Sequence, residues 1–215
     1  MFFLVGLILI SICFWLLYMT SPSLLTEFIS TNVNRHLLGI DLPTSAFWGF
    51  GPFFIITLGI VYTWFWKKLS DHQKEFPDML KFGLALLLIG LAYWLLSHTA
   101  RTAYASTLYQ VSGYWIVISY FLQTCGELMI GPAGFAMIGK YAPPRFEASL
   151  MGFWQLGIGI GASLSGIYGN AIAVPGTLTR EDSNPLYANG FWHLGALAIG
   201  LGVIVFLIFG LSRAR

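Results

Sequence analysis

Charge is what this chain has least of. Asp, Glu, Lys and Arg make up 9% of its 215 residues, against roughly a quarter in an average soluble domain. A chain so poor in charge cannot clothe itself for water, which excludes a soluble globular domain. The eleven basic residues form no patch and the net charge is +2, so nucleic acid is not a partner. Cysteine is nearly absent. Cys13 and Cys125 lie alone in apolar stretches, with no C-x-x-C and no His/Cys cluster, so neither a disulfide framework nor a zinc site is read here. No repeat of 20–50 residues and no low-complexity segment is present.

Apolar residues fill the space that charge leaves. They are 57% of the chain, and the mean hydropathy is +0.74. Six segments are long enough to cross a hydrocarbon layer of about 30 Å, which takes about 20 helical residues. They run Phe2–Thr26, Ala46–Trp66, Leu80–Ser97, Gly113–Ile138, Ala148–Val174 and Asn189–Leu211. The first has no positive n-region and no small-residue cleavage site, and its apolar run is too long for a signal peptide. It reads as a spanning helix. The fold class is therefore all-α, a polytopic six-helix membrane bundle in a lipid bilayer.

The linkers fix an expected orientation. Lys67, Lys68, Lys74, Lys81, Lys140, Arg145, Arg213 and Arg215 fall on one side; Arg35, Arg101 and Arg180 fall on the other. An excess of Lys and Arg marks the cytoplasmic face, so both termini are expected inside, in the cell's inner (plasma) membrane. Trp48, Trp64, Trp66, Trp94, Trp115 and Trp192 lie near span ends, as an aromatic belt would. Trp15 and Trp154 sit deeper.

Glu127 is the one acidic residue inside the apolar stretches, and Gly113 to Gly139 contains no other charge. A carboxylate at bilayer depth costs several kcal/mol unless paired, protonated or water-facing, so it marks a functional site by default. Five residues on, Pro132 cannot donate a backbone hydrogen bond, and the carbonyl of Leu128 loses its helical partner. Membrane helices tolerate such a loosened turn where they line a cavity or pack on protein. The alternative is a protonated glutamic acid bonded to a neighbouring helix.

The fifth span reads MGFWQLGIGIGASLSGIYGN. Gly157 and Gly161, Gly159 and Ser163, and Ala162 and Gly166 are small-xxx-small pairs, so this helix is crowded on more than one face. Trp154 and Gln155 are its exceptions and are candidates for a cavity wall. Gly161-Ala162-Ser163 is also a loose G-x-S, and His193 opens the next span. An intramembrane serine hydrolase would need that Ser–His pair, together with oxyanion donors and water access.

At Gly126–Tyr141 and again at Met151–Trp154 the chain resembles the proton-dependent oligopeptide transporter family of the major facilitator superfamily. The family's tenth helix carries Gly-Glu-Leu-Phe-Ile-Ser, then small residues and Ala-Met. Here Gly126-Glu127-Leu128-Met129-Ile130-Gly131 leads to Ala136-Met137. Ala142-Pro143-Pro144 resembles the following loop, Gly152-Phe153-Trp154 the eleventh helix's Gly-x-Trp, and Phe47 to Pro52 the entry to the eighth helix. The resemblance runs along nearly the whole chain and covers what would be helices seven to twelve.

This resemblance implies the C-terminal half of a proton-coupled symporter for di- and tripeptides or a related small solute. It implies no enzyme activity and no cofactor, with a proton gradient as the driving force. It places Glu127 in a central cavity, where it holds the peptide amino group, couples to protons and can pair with a basic residue of the other half. It places Trp154 on the same cavity wall, and Gln155 is grouped with them as a substrate contact. A complementary six-helix N-terminal half, bearing the family's Glu-x-x-Glu-Arg run, is the expected partner. The chain departs from the family pattern at Met19, Ser30, Gly51 and Gly131, where polar residues have become small, apolar or uncharged. A different or less polar solute fits those changes. A structural or regulatory membrane subunit without transport of its own is the other reading.

Overall fold

The computed structural model describes residues 2–72, 77–103 and 108–213. Lys74 and Arg215, two of the basic residues used for orientation, lie outside these, and of Arg213 only the backbone is described. The six expected spans are six helices, α1 (Phe2–Asn32), α2 (Phe50–Asp71), α3 (Asp78–Ala103), α4 (Gly113–Tyr141), α5 (Glu147–Ala171) and α6 (Arg180–Arg213). Each is long and apolar enough to cross a membrane.

Most of the helices outrun the apolar stretches that announced them, although α2 begins at Phe50 after a 3-10 turn and α5 stops at Ala171, short of Val174. α1 continues past Thr26 to Asn32, α2 absorbs the Lys67–Asp71 segment, and α6 begins at Arg180 instead of Asn189. Hydropathy reports only the part of a helix that lipid surrounds, while backbone bonding continues into the interface. The start of α6 has a local cause. The Asp182 amide donates to Thr179 Oγ1 at 3.3 Å, and that hydroxyl donates back to Asp182 Oδ2 at 2.7 Å. Such a reciprocal cap satisfies an orphan donor of the first turn, where Glu181 and Asp182 also complement the helix dipole.

Short extended pieces join the helix ends. β1 (Val33–Asn34) runs parallel to β4 (Val111–Ser112), tying the end of α1 to the start of α4. β2 (His36–Leu37) and β3 (Ile40–Asp41) form a hairpin. Its two-residue loop, Leu38-Gly39, has φ of 52° and 83°, the positive pair that a type I′ turn requires. A 3-10 turn over Thr44–Gly49 buries Phe47 and leads into α2. Arg35, Arg101 and Arg180 all lie at this end of the bundle. There Arg180 donates to the Thr31 carbonyl at 2.7 Å, and Asn32, fully buried, donates to Ser183 Oγ and Asn184 Oδ1, each at 2.8 Å.

Packing divides the bundle into pairs. α3 lies along α6 and α4, α1 lies along α5, and α2 leans on α4 with only Gly51 buried. The aromatic rings of Phe28, Tyr187 and Phe191 cluster at the α1–α6 contact. The α1–α5 contact depends on small residues. Gly157, Gly161 and Ser165 are buried there, and a Cβ on Gly161 would stand 2.8 Å from the Ile12 carbonyl oxygen and 3.0 Å from the Leu16 nitrogen. This face is thus used inside the chain. The opposite face of α5 carries Gly152, Gln155, Gly159, Ser163 and Gly166, all exposed, and its three glycines have nothing within 4 Å of an added Cβ.

The two faces should respond differently to bulk. Gly161→Val drives a methyl group into main-chain atoms, and overpacking of this kind costs roughly 1–3 kcal/mol, with the upper end expected because backbone cannot rotate away. Gly159→Val should leave thermal unfolding of the purified chain in detergent within a degree or two of wild type. Equal melting shifts for both variants would refute the assignment of faces.

Candidate membrane-buried carboxylate site

The site begins with the placement of α4. A Cβ at Gly126 would lie 3.0 Å from the Ala85 carbonyl oxygen and 3.5 Å from the ring of Phe14, so the missing side chain lets α4 settle against α3 and α1. Its neighbour Glu127 is thereby set beside α1. There the Tyr18 hydroxyl donates to Glu127 Oε2 at 2.6 Å. Both side chains are half-buried. The Tyr18 ring is held by a stack on Phe14 at 5.9 Å and an edge contact with Trp15 at 5.5 Å, and both of those residues are buried.

Hydroxyl-to-carboxylate bonds of this length are charge-assisted and contribute about 1.5–3 kcal/mol. A neutral donor from the same chain therefore supplies part of the solvation that lipid withholds. Among the described residues no Lys or Arg forms an ion pair with Glu127; the two ion pairs are His36–Asp41 and Lys81–Asp78, with Lys81 near the surface. Tyr18 is thus the partner of Glu127 within this chain, which fits a glutamic acid bonded to a neighbouring helix as well as a carboxylate with its second oxygen open to a further partner. Gly131, one turn beyond Glu127 on the same face, has nothing within 4 Å of an added Cβ, which leaves room beside the carboxylate.

Trp154 does not face an open wall. It is fully buried, edge-on to Phe82 at 5.9 Å and tilted against Phe135 at 6.2 Å, and its indole Nε1 finds no hydrogen-bond partner. Gly134 makes the seat, since an added Cβ would stand 2.1 Å from the indole. In this arrangement Trp154 is a packing residue beneath α4 and offers no surface to a solute. Gln155, the next residue, points the other way and is exposed on the open face of α5. It makes no hydrogen bond to the Tyr18–Glu127 pair. The structure thus joins Glu127 to Tyr18, while Trp154 is packed in the core and Gln155 lies on the exposed face of α5.

The serine-hydrolase arrangement is not assembled. Ser163 Oγ donates to the Gly159 carbonyl of its own helix at 2.9 Å. Its helix packs on α1 and α4, whereas His193 belongs to α6, which packs on α3 and α1.

Six helices long and apolar enough to cross a membrane, with one half-buried carboxylate bonded between α1 and α4, define a polytopic membrane protein. The chain belongs to the POT family, whose sequence profile matches residues 1–181. It is 35% identical over 207 residues to the dipeptide and tripeptide permease A of Erwinia pyrifoliae, covering 94% of this chain and 40% of that one. Its fold superposes on a crystal structure of the peptide transporter POT in complex with sulfate with a TM-score of 0.80, at 27% identity, over 96% of this chain and 39% of that one. A POT family transporter in complex with 5-aminolevulinic acid gives a TM-score of 0.81 at 26% identity, covering 97% and 40%. The chain thus spans about two fifths of the length of the relatives it matches. Its fold is half of a major facilitator fold, and its relatives are permeases rather than hydrolases.

The seating of Trp154 gives a direct check. Gly134→Ala should displace the indole and lower stability by roughly 1–3 kcal/mol, with a shift in tryptophan emission. The double variant Gly134→Ala/Trp154→Phe, in which a smaller ring meets the new methyl, should recover part of the loss. An unshifted melting temperature in Gly134→Ala would contradict the placement.

Proposed function

We propose that this chain is one six-helix unit of a proton-coupled symporter for di- and tripeptides or a related amine-bearing solute, equivalent to the C-terminal half of a twelve-helix transporter. The observation that carries this reading is Glu127, a carboxylate held half-buried by a neutral donor. Tyr18 steadies one oxygen without cancelling the charge, so the pair still attracts a cation, and a buried charge of this kind is the usual mark of a solute or proton pathway in a membrane protein. The amino group of a peptide is such a cation. The names of the relatives, dipeptide and tripeptide permeases, support a peptide, and 5-aminolevulinic acid, bound in one solved relative, carries an amine as well. A proton can take the place of the ammonium when the solute leaves, which would link uptake to the proton gradient.

In this reading the complementary half lies against the open face of α5 and the apolar side of α2. Transporters of this superfamily place their solute between two six-helix units that rock against each other. Two features support the pairing: the chain covers two fifths of its relatives, and the glycines at 152, 159 and 166 present a smooth surface of the kind that helices, rather than lipid, exploit. The membrane is the inner membrane, with both termini in the cytoplasm, because the basic residues concentrate at the end opposite Arg35, Arg101 and Arg180.

Reconstitution in liposomes tests the reading. Under an inward proton gradient the purified chain alone should take up no dipeptide, and the chain together with a relative's N-terminal half should. Glu127→Gln in that assembly should weaken binding of an amine-bearing dipeptide by roughly 10–100-fold, the worth of one charge-assisted hydrogen bond, and should leave the fold intact. Proton-driven uptake by the lone chain, or unchanged uptake in Glu127→Gln, would sink the proposal. Orientation is tested separately with a cysteine at Leu38, which is 87% exposed at the hairpin tip. An impermeant thiol reagent should label it from outside the cell, and labelling only from the cytoplasmic side would reverse the topology.

A further inference from the structure

Tyr18 and Glu127 each stand next to a proline-weakened turn. Pro22 lies four residues after Tyr18 within α1, so the Tyr18 carbonyl has no backbone amide to receive. Pro132 does the same to Leu128, the neighbour of Glu127, within α4. Side chains crowd the first of these turns: Thr20 Oγ1 donates to the Leu16 carbonyl at 2.8 Å and the Tyr93 hydroxyl to the Leu17 carbonyl at 2.6 Å. Such bonds accompany helix bending. The two helices run in opposite directions, so Pro22 leads toward the bundle end that holds Arg35, Arg101 and Arg180, and Pro132 leads toward the end that holds Lys140. The single hydrogen bond between Tyr18 and Glu127 therefore joins the base of a hinged segment at one membrane face to the base of a hinged segment at the other.

We propose that Tyr18 is the positioning residue of the site, and that its bond to Glu127 is a latch coupling the outer segment of α1 beyond Pro22 to the inner segment of α4 beyond Pro132. Only the trigger for its release rests on the reading of Glu127 as a cation site: an ammonium group drawing the carboxylate away from Tyr18 frees both hinges at once. A solute bound at mid-membrane would then act on both ends of the bundle through one bond.

Spin-label distances on the full chain in lipid nanodiscs test this. One pair, Ser30 with Thr102, reads the end of α1 against α3. A second, Leu80 with Lys140, reads the end of α4 against α3. Tyr18→Phe should broaden both distance distributions together, at least twofold in width, and Glu127→Leu should do the same. Tyr120→Phe, the same chemical change on α4 outside the pair, should broaden neither. If Tyr18→Phe and Glu127→Leu leave either distance unchanged, the latch is overturned. Methylammonium added to the wild-type chain separates the two ideas. Joint broadening that is lost in Glu127→Gln supports the trigger. Joint broadening by Tyr18→Phe without any response to methylammonium keeps the latch and removes the cation site. A methylammonium response with a silent Tyr18→Phe keeps the cation site and removes the latch.

Discussion

A carboxylate inside a lipid-embedded bundle has no water to solvate it, so the protein must supply what water would. That constraint organises the centre of this molecule. Glu127 lies on α4 beside a glycine whose missing side chain lets the helix close on α3 and α1, and the closure brings the hydroxyl of Tyr18 to 2.6 Å. Phe14 and Trp15 hold the Tyr18 ring from two sides. The arrangement is a compromise in energy. An apolar residue in place of Tyr18 would leave the buried carboxyl group without a donor, which costs about 1–3 kcal/mol. The Tyr18 hydroxyl supplies that donor and holds one oxygen of the group in place.

Close packing elsewhere serves the same centre. The α1–α5 contact depends on Gly157, Gly161 and Ser165, and it is this contact that fixes α1, and with it Tyr18, against the rest of the bundle. Trp154, whose ring fills the space under Gly134, stiffens the other side of α4. The burial of its indole without a partner for Nε1 forfeits roughly a hydrogen bond's worth of free energy, about 1–3 kcal/mol, in return for a rigid backing to the segment that carries the carboxylate. The free face of α5 is small and partly polar, which lipid does not reward.

Much of this was legible in the sequence, and the limits are instructive. Six spans follow from apolar length alone, and Glu127 follows from being the one acid within them. The three small-xxx-small pairs of the fifth span point to more than one crowded face, but spacing cannot say which face looks inward. The structure gives Gly157 and Gly161 to α1 and leaves Gly159 and Gly166 open. The sequence points to Trp154 and Gln155 as one cavity wall, Trp154 also through the family's Gly-x-Trp; neighbours in a helix point about 100° apart, and these two diverge, Trp154 buried and Gln155 exposed. Tyr18 carries a signal of its own, since a hydroxyl within an apolar run needs a partner in lipid. Nothing local says that the partner lies 109 residues on. The early start of α6 was likewise present as Thr179 to Asp182, a capping pattern that hydropathy does not register.

The polar ends of the bundle complete the physical picture. At one end, Asn32 bridges to Ser183 and Asn184, Asn184 donates to the Tyr109 carbonyl, and β1 pairs with β4. These bonds tie the ends of α1 and α6 and the approach to α4 into one buried polar knot, in which each Asn amide is satisfied. At the other end Lys68 lies over the Trp64 ring, Lys140 over that of Tyr141 and Arg145 over that of Phe146, while Lys81 pairs with Asp78 at 2.6 Å and reaches across to the Trp66 ring of α2. Both ends of the bundle are thus tied between helices, one by the Asn32 knot and the other by Lys81 between α3 and α2. Pro132 lies between Glu127 and the basic end, and Pro22 lies between Tyr18 and the Asn32 knot, so each proline-weakened turn separates the central hydrogen bond from one of these fastenings.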